Sequence, residues 1–79
     1  MEERLREVLR KLGFAEAEVQ LEQAGGGKVG GVLVSSRFAG HSQEDRQSKL
    51  WQDLRAQMKP EELVQIVALM TMTREEIAA

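Results

Sequence analysis

The apolar residues near the start of the chain recur with the spacing of one helix face. They are Leu5, Val8, Leu9 and Leu12. Acidic residues stand first in this segment and basic residues last, which suits the dipole of a helix. Gly13 follows, and glycine readily takes the left-handed conformation at a helix end. The pattern therefore predicts an amphipathic helix over residues 3–12.

The next segment alternates between apolar and polar residues, which is the period of a half-buried strand. The alternation covers residues 17–23, and glycines then occupy positions 25–27. Such a glycine run favours a turn into a second strand, so we predict a hairpin over residues 17–35. Gly30 and Gly31 lie inside the second strand and indicate a bulge or the close approach of another element.

An apolar run at residues 32–34 leads through a turn into the longest predicted helix. Ser42 suits the N-cap of this helix, and Asp45 stands three residues later, as in a capping box. We expect a core role for Trp51, with a base-stacking platform as the alternative. The helix is predicted over residues 42–58. Its core-facing side carries Gln47, Leu50, Trp51, Leu54 and Met58.

Residues 64–72 are rich in β-branched and apolar side chains and predict a third strand. Apolar residues fall on both of its faces, so we expect it at the centre of the sheet. Pro60 ends the long helix ahead of it and opens one short helical turn. Thr73 and Glu76 have the T-x-x-E spacing of a capping box, which predicts a short C-terminal helix through Ile77.

These elements follow the order α-β-β-α-β-α. The first two strands pair as a hairpin, and a crossover through the long helix makes the third strand parallel to its neighbour. The predicted fold is an α+β two-layer sandwich with a three-stranded mixed sheet and with helices 3–12 and 42–58 on one face. A chain of 79 residues fits a single domain, residues 1–79.

Composition narrows the function classes. The chain has no cysteine and one histidine, His41, which leaves no thiolate metal site, no cysteine nucleophile and no conventional Ser-His-Asp triad. Acidic pairs at residues 61–62 and 75–76 stand at predicted helix starts, where carboxylates are favoured electrostatically. We therefore expect no enzymatic activity and no small-molecule substrate.

The charge pattern bears on location and partners. The first residues are too charged for a secretory or transit peptide, and no run approaches the roughly 18 apolar residues of a membrane span. We expect a cytoplasmic protein without a membrane partner. The net charge is −2, but residues 37–60 hold five basic and three acidic side chains. This basic segment is either a nucleic-acid-binding face or a solvated helix face. Its basic residues are Arg37, Arg46, Lys49, Arg55 and Lys59.

Two segments resemble the BolA family. Residues 33–42, Leu-Val-Ser-Ser-Arg-Phe-Ala-Gly-His-Ser, are followed by Arg46 and Leu50 and are similar to the signature V-S-x-x-F-x-G-x-S-x-x-x-R-H. Residues 64–76, V-Q-I-V-A-L-M-T-M-T-R-E-E, resemble the family segment V-H-A-L-S-L-K-T-x-T-P-E-E without gaps. The resemblance extends over residues from about 5 to 77 of the chain.

The resemblance implies a topology related to class II KH domains and a non-enzymatic role. BolA-like proteins partner monothiol glutaredoxins in iron and stress regulation, with or without a bridging [2Fe-2S] cluster. Some members are described as DNA-binding transcriptional regulators, which is the alternative function here. On this chain, the partner-binding or nucleic-acid-binding residues would be Arg37, Phe38, Gly40, Ser42, Arg46, Lys49 and Arg55.

The chain departs from the family at the cluster ligand. The histidine of V-H-A-L is replaced by Gln65, and the hairpin loop at residues 24–27 has neither the histidine nor the cysteine that the family uses there. A carboxamide oxygen is a weak ligand for iron–sulfur iron. We therefore expect no cofactor and no metal, and a regulatory adaptor that binds a glutaredoxin-type partner. His41 is interpreted as an exposed loop histidine, with a substitute ligand as the alternative.

Overall fold

The computed structural model describes residues 1–78 and orders them as four helices and three strands. The helices are α1 (Glu2–Lys11), α2 (Gln43–Gln57), α3 (Pro60–Leu63) and α4 (Arg74–Ala78). The strands are β1 (Val19–Gly25), β2 (Lys28–Val34) and β3 (Ile66–Met72). Two 3₁₀ turns cover Glu16–Glu18 and Ser36–Phe38. Within residues 1–78, every helix is too short or too polar to cross a membrane.

The three strands form one mixed sheet in the order β1-β2-β3. Strand β1 runs antiparallel to β2, and β3 runs parallel to β2. The α+β class and the three-stranded mixed sheet predicted from the sequence are therefore confirmed. The prediction that β3 is the central strand is wrong, because β2 lies in the middle and β3 forms an edge. Apolar side chains on the outer face of β3 are exposed rather than covered by another layer.

A bulge near the start of β3 determines which of its side chains face the core. The pairing with β2 passes from Ile66 to Ala68, so Val67 is the inserted residue. Strict alternation would put Ile66 and Leu69 on opposite faces, but the inserted residue brings both of them, together with Thr71, into the interior. Strand β3 also begins two residues later than predicted, because residues 64 and 65 belong to the turn after α3.

The hydrophobic core lies between one face of the sheet and the two longest helices. Trp51 is half-buried against this core, and its indole N–H donates to Gln47 Oε1 at 3.1 Å, which supports the core role. The helices contribute Leu5, Val8, Leu9, Leu50 and Leu54, and Met58 follows directly after α2, as their spacing predicted. The sheet contributes Val19, Val29, Leu33, Ile66 and Leu69.

The end of α1 follows the sequence prediction. Gly13 has a φ of +97°, and its N–H donates to the Arg10 carbonyl at 3.0 Å. The Phe14 N–H donates to the Leu9 carbonyl at 3.0 Å, which completes a Schellman motif. The chain therefore reverses directly into the core, where the Phe14 ring is buried.

The glycines of the hairpin have two different roles. Gly26 and Gly27 have φ values of +60° and +78°, as a tight two-residue turn between antiparallel strands requires. Gly31 lies within β2, where a Cβ atom would collide with the Gln20 carbonyl oxygen of β1. The close approach predicted for this part of the strand is therefore confirmed.

Candidate functional site

The segment that carries the BolA-like motif forms a 3₁₀ turn and then the start of α2. The Ser35 hydroxyl accepts from the Arg37 N–H at 3.3 Å, and Gly40 has a φ of +79° where the chain reverses. The Ser42 hydroxyl accepts from the Asp45 N–H at 3.1 Å, so the predicted N-cap is confirmed. Phe38 is buried. Ser42, Phe38 and Gly40 therefore shape this turn, and each has a structural role.

Arg37 stacks on Phe14, which follows α1 and packs against Phe38. Its guanidinium carbon lies 3.8 Å from the centroid of the Phe14 ring, and the Phe14 and Phe38 centroids are 5.9 Å apart. Arg37 Nη1 also donates to the Leu12 carbonyl at 3.1 Å. A cation at this place is favoured by the helix dipole and by the aromatic face. Arg37 thus caps α1, although its side chain remains exposed.

Arg46 is buried in the structure, with only 5% of its side chain exposed. Its Nη1 and Nη2 atoms donate to Glu76 Oε1 and Oε2 at 2.8 and 2.9 Å. Nε donates to the His41 carbonyl at 2.9 Å, and Nη1 also reaches the Thr71 carbonyl at 3.2 Å. The guanidinium is therefore used within the fold. We assign Arg46 a structural role in place of the phosphate or partner contact predicted from the motif.

Glu76 combines this ion pair with a helix cap. Its Oε1 accepts from the Thr73 N–H at 2.8 Å, and its own N–H donates to the Thr73 hydroxyl at 3.2 Å. The T-x-x-E capping box predicted from the sequence is therefore confirmed. The hydrogen bonds from Arg46, and next the bond from the Thr73 N–H, lower the pKa of Glu76 to about 2. The sequence indicated the cap but not the ion pair.

The remaining basic residues do not share one face of α2. Lys49 pairs with Asp53, with Nζ 3.1 Å from Oδ1, on the solvent side. Arg55 is exposed six positions after Lys49, which puts it about 120° around the helix axis. Lys59 lies beyond the end of α2, where its N–H donates to the Glu62 carboxylate at 2.9 Å. The basic segment of the sequence is thus dispersed in three dimensions.

A pocket of about 260 Å³ opens beside the motif turn. Phe14, Phe38 and Leu50 supply its apolar lining. The charged side chains around it are of both signs, so the pocket has no strong preference for an anion. These side chains are Arg37, Lys49, Asp45 and Asp53, together with Arg46, whose charge is paired with Glu76. The exposed His41 lies beside them.

Gln65 lies at the other end of β3 from His41. The Gln65 carbonyl accepts from the Val29 N–H at 2.9 Å, so Gln65 is beside the start of β2 and the hairpin turn. The Arg46 guanidinium donates to both the His41 and the Thr71 carbonyls, so His41 lies near Thr71. Thr71 is six residues after Gln65 in the chain. Six strand residues span roughly 20 Å. His41 therefore cannot supply an imidazole at the Gln65 position.

The [2Fe-2S] cluster that the BolA resemblance implies does not fit the residues at this end of the sheet. Gln65 is exposed and offers a carboxamide, and the neighbouring turn, Gly26 and Gly27, has no donor side chain. Iron–sulfur iron prefers thiolate or imidazole ligands. Across residues 1–78, the structure has no group of three or more His, Cys, Asp or Glu side chains positioned to hold a metal ion.

Two glutamines of α2 bind the free edge of β3, a contact that sequence reasoning missed. Gln43 Nε2 donates to the Thr71 carbonyl at 2.8 Å, and the Thr71 hydroxyl donates to Gln43 Oε1 at 2.7 Å. Gln47 Nε2 donates to the Leu69 carbonyl at 2.7 Å. These amides occupy acceptors that an edge strand would otherwise present to another chain. The sequence signal is a pair of amides spaced i, i+4 on the side of α2 that faces the sheet.

Comparisons of this chain with protein-family models, with curated proteins and with solved structures found no match. The likeness to BolA proteins consequently rests on the motif residues alone.

Proposed function

We propose that this chain is a non-enzymatic, BolA-like adaptor with a class II KH-like topology that acts in the cytoplasm. Its partner is a monothiol glutaredoxin-type protein in iron or stress regulation, and it binds without the family's histidine ligand. The observation that supports the proposal best is the exposure of Val64 beside Gln65. Val64 is 72% exposed, and Gln65 stands where the motif places the family's partner-facing histidine. An exposed apolar side chain beside this position gives a partner protein apolar surface to bury on contact.

The basic residues favour this protein partner over DNA. A DNA-binding surface needs several cations that reach phosphates together. Arg46 is buried against Glu76, Lys49 is paired with Asp53, and Arg55 faces another direction. DNA binding through Arg37, Lys49 and Arg55 remains the alternative function, with weak and sequence-independent affinity as its expected form.

Association would depend on surface contacts rather than on shared iron, because Gln65 offers no suitable donor. Val64 and the open backbone of the glycine turn would bury surface against the partner. The affinity should then be the same for the apo and the cluster-loaded glutaredoxin, which separates this adaptor from members that share a cluster.

The test is a titration of the isotope-labelled protein with a monothiol glutaredoxin from the same organism, followed by amide chemical shifts. We expect shifts at Val64, Gln65 and the turn glycines, equal for apo and cluster-loaded partner. Val64→Asp should weaken binding at least tenfold, because it places a charge in an apolar contact. Arg55→Gln is the matched control and should bind normally.

Two results would contradict the proposal. The first is the lack of any shift at these residues at millimolar partner. The second is a set of shifts confined to Arg37, Lys49 and Arg55 when duplex DNA is added, with none on adding glutaredoxin. That second result would favour the alternative function.

A further inference from the structure

The outer face of the sheet is apolar on β2 and β3 but uncovered along much of its length. Helices α1 and α2 pack on the opposite face. On the outer side, β2 presents Gly30 and the half-buried Val32, and β3 presents Val67 and Met70, which are 53% and 56% exposed. A strand that is apolar on both sides is typical of a sheet covered on both sides. The composition of this face therefore indicates a missing layer.

The uncovered part of the face is a depression of about 370 Å³. Gly30 contributes no side chain to its floor, and a Val67 methyl group packs over this glycine, 3.0 Å from where a Cβ would stand. Val32 and Met70 line it on the apolar side, and Gln20 and Glu22 of β1 form the polar rim. Of the residues described, Glu22 is the one ionised side chain that lines the depression.

The concave shape of the depression favours a helix as the group that binds there. Two copies of this concave face placed against each other would enclose a cavity, which costs packing contacts. A helix is convex and about 10 Å wide, so it can fill the depression along the strands. The strands have seven residues each, roughly 23 Å, which a helix of about 15 residues spans.

The negative charge of Glu22 on the rim determines which charged residues that helix should carry. A cation on the side of the helix that meets Glu22 is favoured, and an anion there is disfavoured. The amides of Gln20 and Gln23 along the same rim accept polar side chains of either kind.

We propose that this face docks an amphipathic helix of a partner protein, with an apolar stripe on Val32, Val67 and Met70 and with Lys or Arg toward Glu22. The site is separate from that of the proposed function, because neither Val64 nor Gln65 lines the depression. The proposed helix docking therefore does not depend on whether the glutaredoxin-type partner binds.

The test is a selection of displayed helical peptides of about 15 residues against the full chain. The peptides keep Leu at i, i+3, i+4 and i+7 and vary between Lys, Glu and Gln at the flanking positions. We expect enrichment of Lys over Glu on one flank. Met70→Glu should reduce the affinity of enriched peptides at least tenfold, whereas Val64→Asp should leave it unchanged.

A second variant keeps the test decisive if Met70→Glu disturbs the fold. Glu22→Lys changes an exposed rim residue and leaves the apolar floor intact. It should reverse the preference, so that peptides with Glu flanks are enriched. Amide shifts on peptide addition should fall on Gly30, Val32 and Ala68.

Three results would overturn the proposal. One is that no peptide is enriched. Another is that peptides with Lys and peptides with Glu at the flanking positions are enriched equally, by both the native chain and Glu22→Lys. The third is a concentration-dependent dimer in sedimentation that Met70→Glu abolishes, because a second copy would then cover the face.

Discussion

Arg46 and Glu76 join the start of α2 to α4 through two parallel hydrogen bonds of 2.8 and 2.9 Å. The planar guanidinium matches the carboxylate at both oxygens, and such charge-assisted pairs are the strongest hydrogen bonds of proteins. The same guanidinium reaches the His41 and Thr71 carbonyls. One buried side chain therefore connects the motif turn, the end of β3 and the C-terminal helix.

Glu76→Gln should make the protein less stable at neutral pH, by an amount that disappears in acid. The pKa of Glu76 is about 2 in the folded chain and has an ordinary value of 4.5, so the folded state binds this proton less tightly. Its contribution to stability is complete above pH 4.5 and is lost as the pH falls from 4.5 toward 2. Urea unfolding of both proteins over this range measures the difference.

The comparison isolates Glu76 from other carboxyls. Glu18 and Glu62 also have lowered pKa values, because they accept from the backbone N–H groups of Ala15 and Lys59, but both are unchanged in the variant. Glutamine can still accept from the Thr73 N–H, so the cap is retained. A stability difference that stays constant from pH 7 to pH 2 would show that the ionised pair is not the cause.

Leu54→Ala should lower the free energy of unfolding by about 2–5 kcal/mol. Leu54 is fully buried between α2 and the sheet, so the smaller side chain loses its contacts and leaves a cavity. Denaturant unfolding at 25 °C gives the value, and Gln52→Ala on the exposed side of the same helix is the control. Equal stabilities of the two variants would mean that the face of α2 is wrongly assigned.

Replacing Gln43 and Gln47 together by Ala should make the chain self-associate. The Leu69 and Thr71 carbonyls would lose the amides that now occupy them, and the edge of β3 would become open to another strand. Sedimentation velocity over a range of concentrations detects the association. The double variant Gln52→Ala and Gln57→Ala, at exposed positions of α2, should remain as the native chain does.

The native chain should leave the visible absorption and circular dichroism of a cluster-loaded glutaredoxin unchanged, whether or not the two proteins bind. Gln65→His should alter these spectra, since it restores an imidazole at an exposed position beside the hairpin turn. His41→Gln, which removes the histidine at the other end of β3, is the control. If the native chain shifts the spectra and His41→Gln abolishes the shift, then His41 is a ligand and this assignment fails.

Local signals predicted the helices and their ends well. The i, i+3, i+4 spacing of Leu5, Val8 and Leu9, the left-handed Gly13 and the Ser42 cap each depend on residues within one or two turns. Interactions of that range are present in the sequence itself, because the partners are close along the chain. The hairpin at residues 25–27 is predictable for the same reason.

The order of the strands and the roles of the charged residues were decided by the tertiary structure. The bulge at Val67 shifts the alternation of inward and outward side chains along β3. Strand β3 lies at the edge of the sheet because β2 pairs with β1 on one side and with β3 on the other. The sequence predicts Arg46 to be a surface cation. In the structure it is buried, because the fold places the carboxylate of Glu76, thirty positions later, against its guanidinium. A partner so distant along the chain leaves no periodic signal. Only the packing of α4 against α2 determines that this charge is neutralised within the fold rather than offered to a ligand.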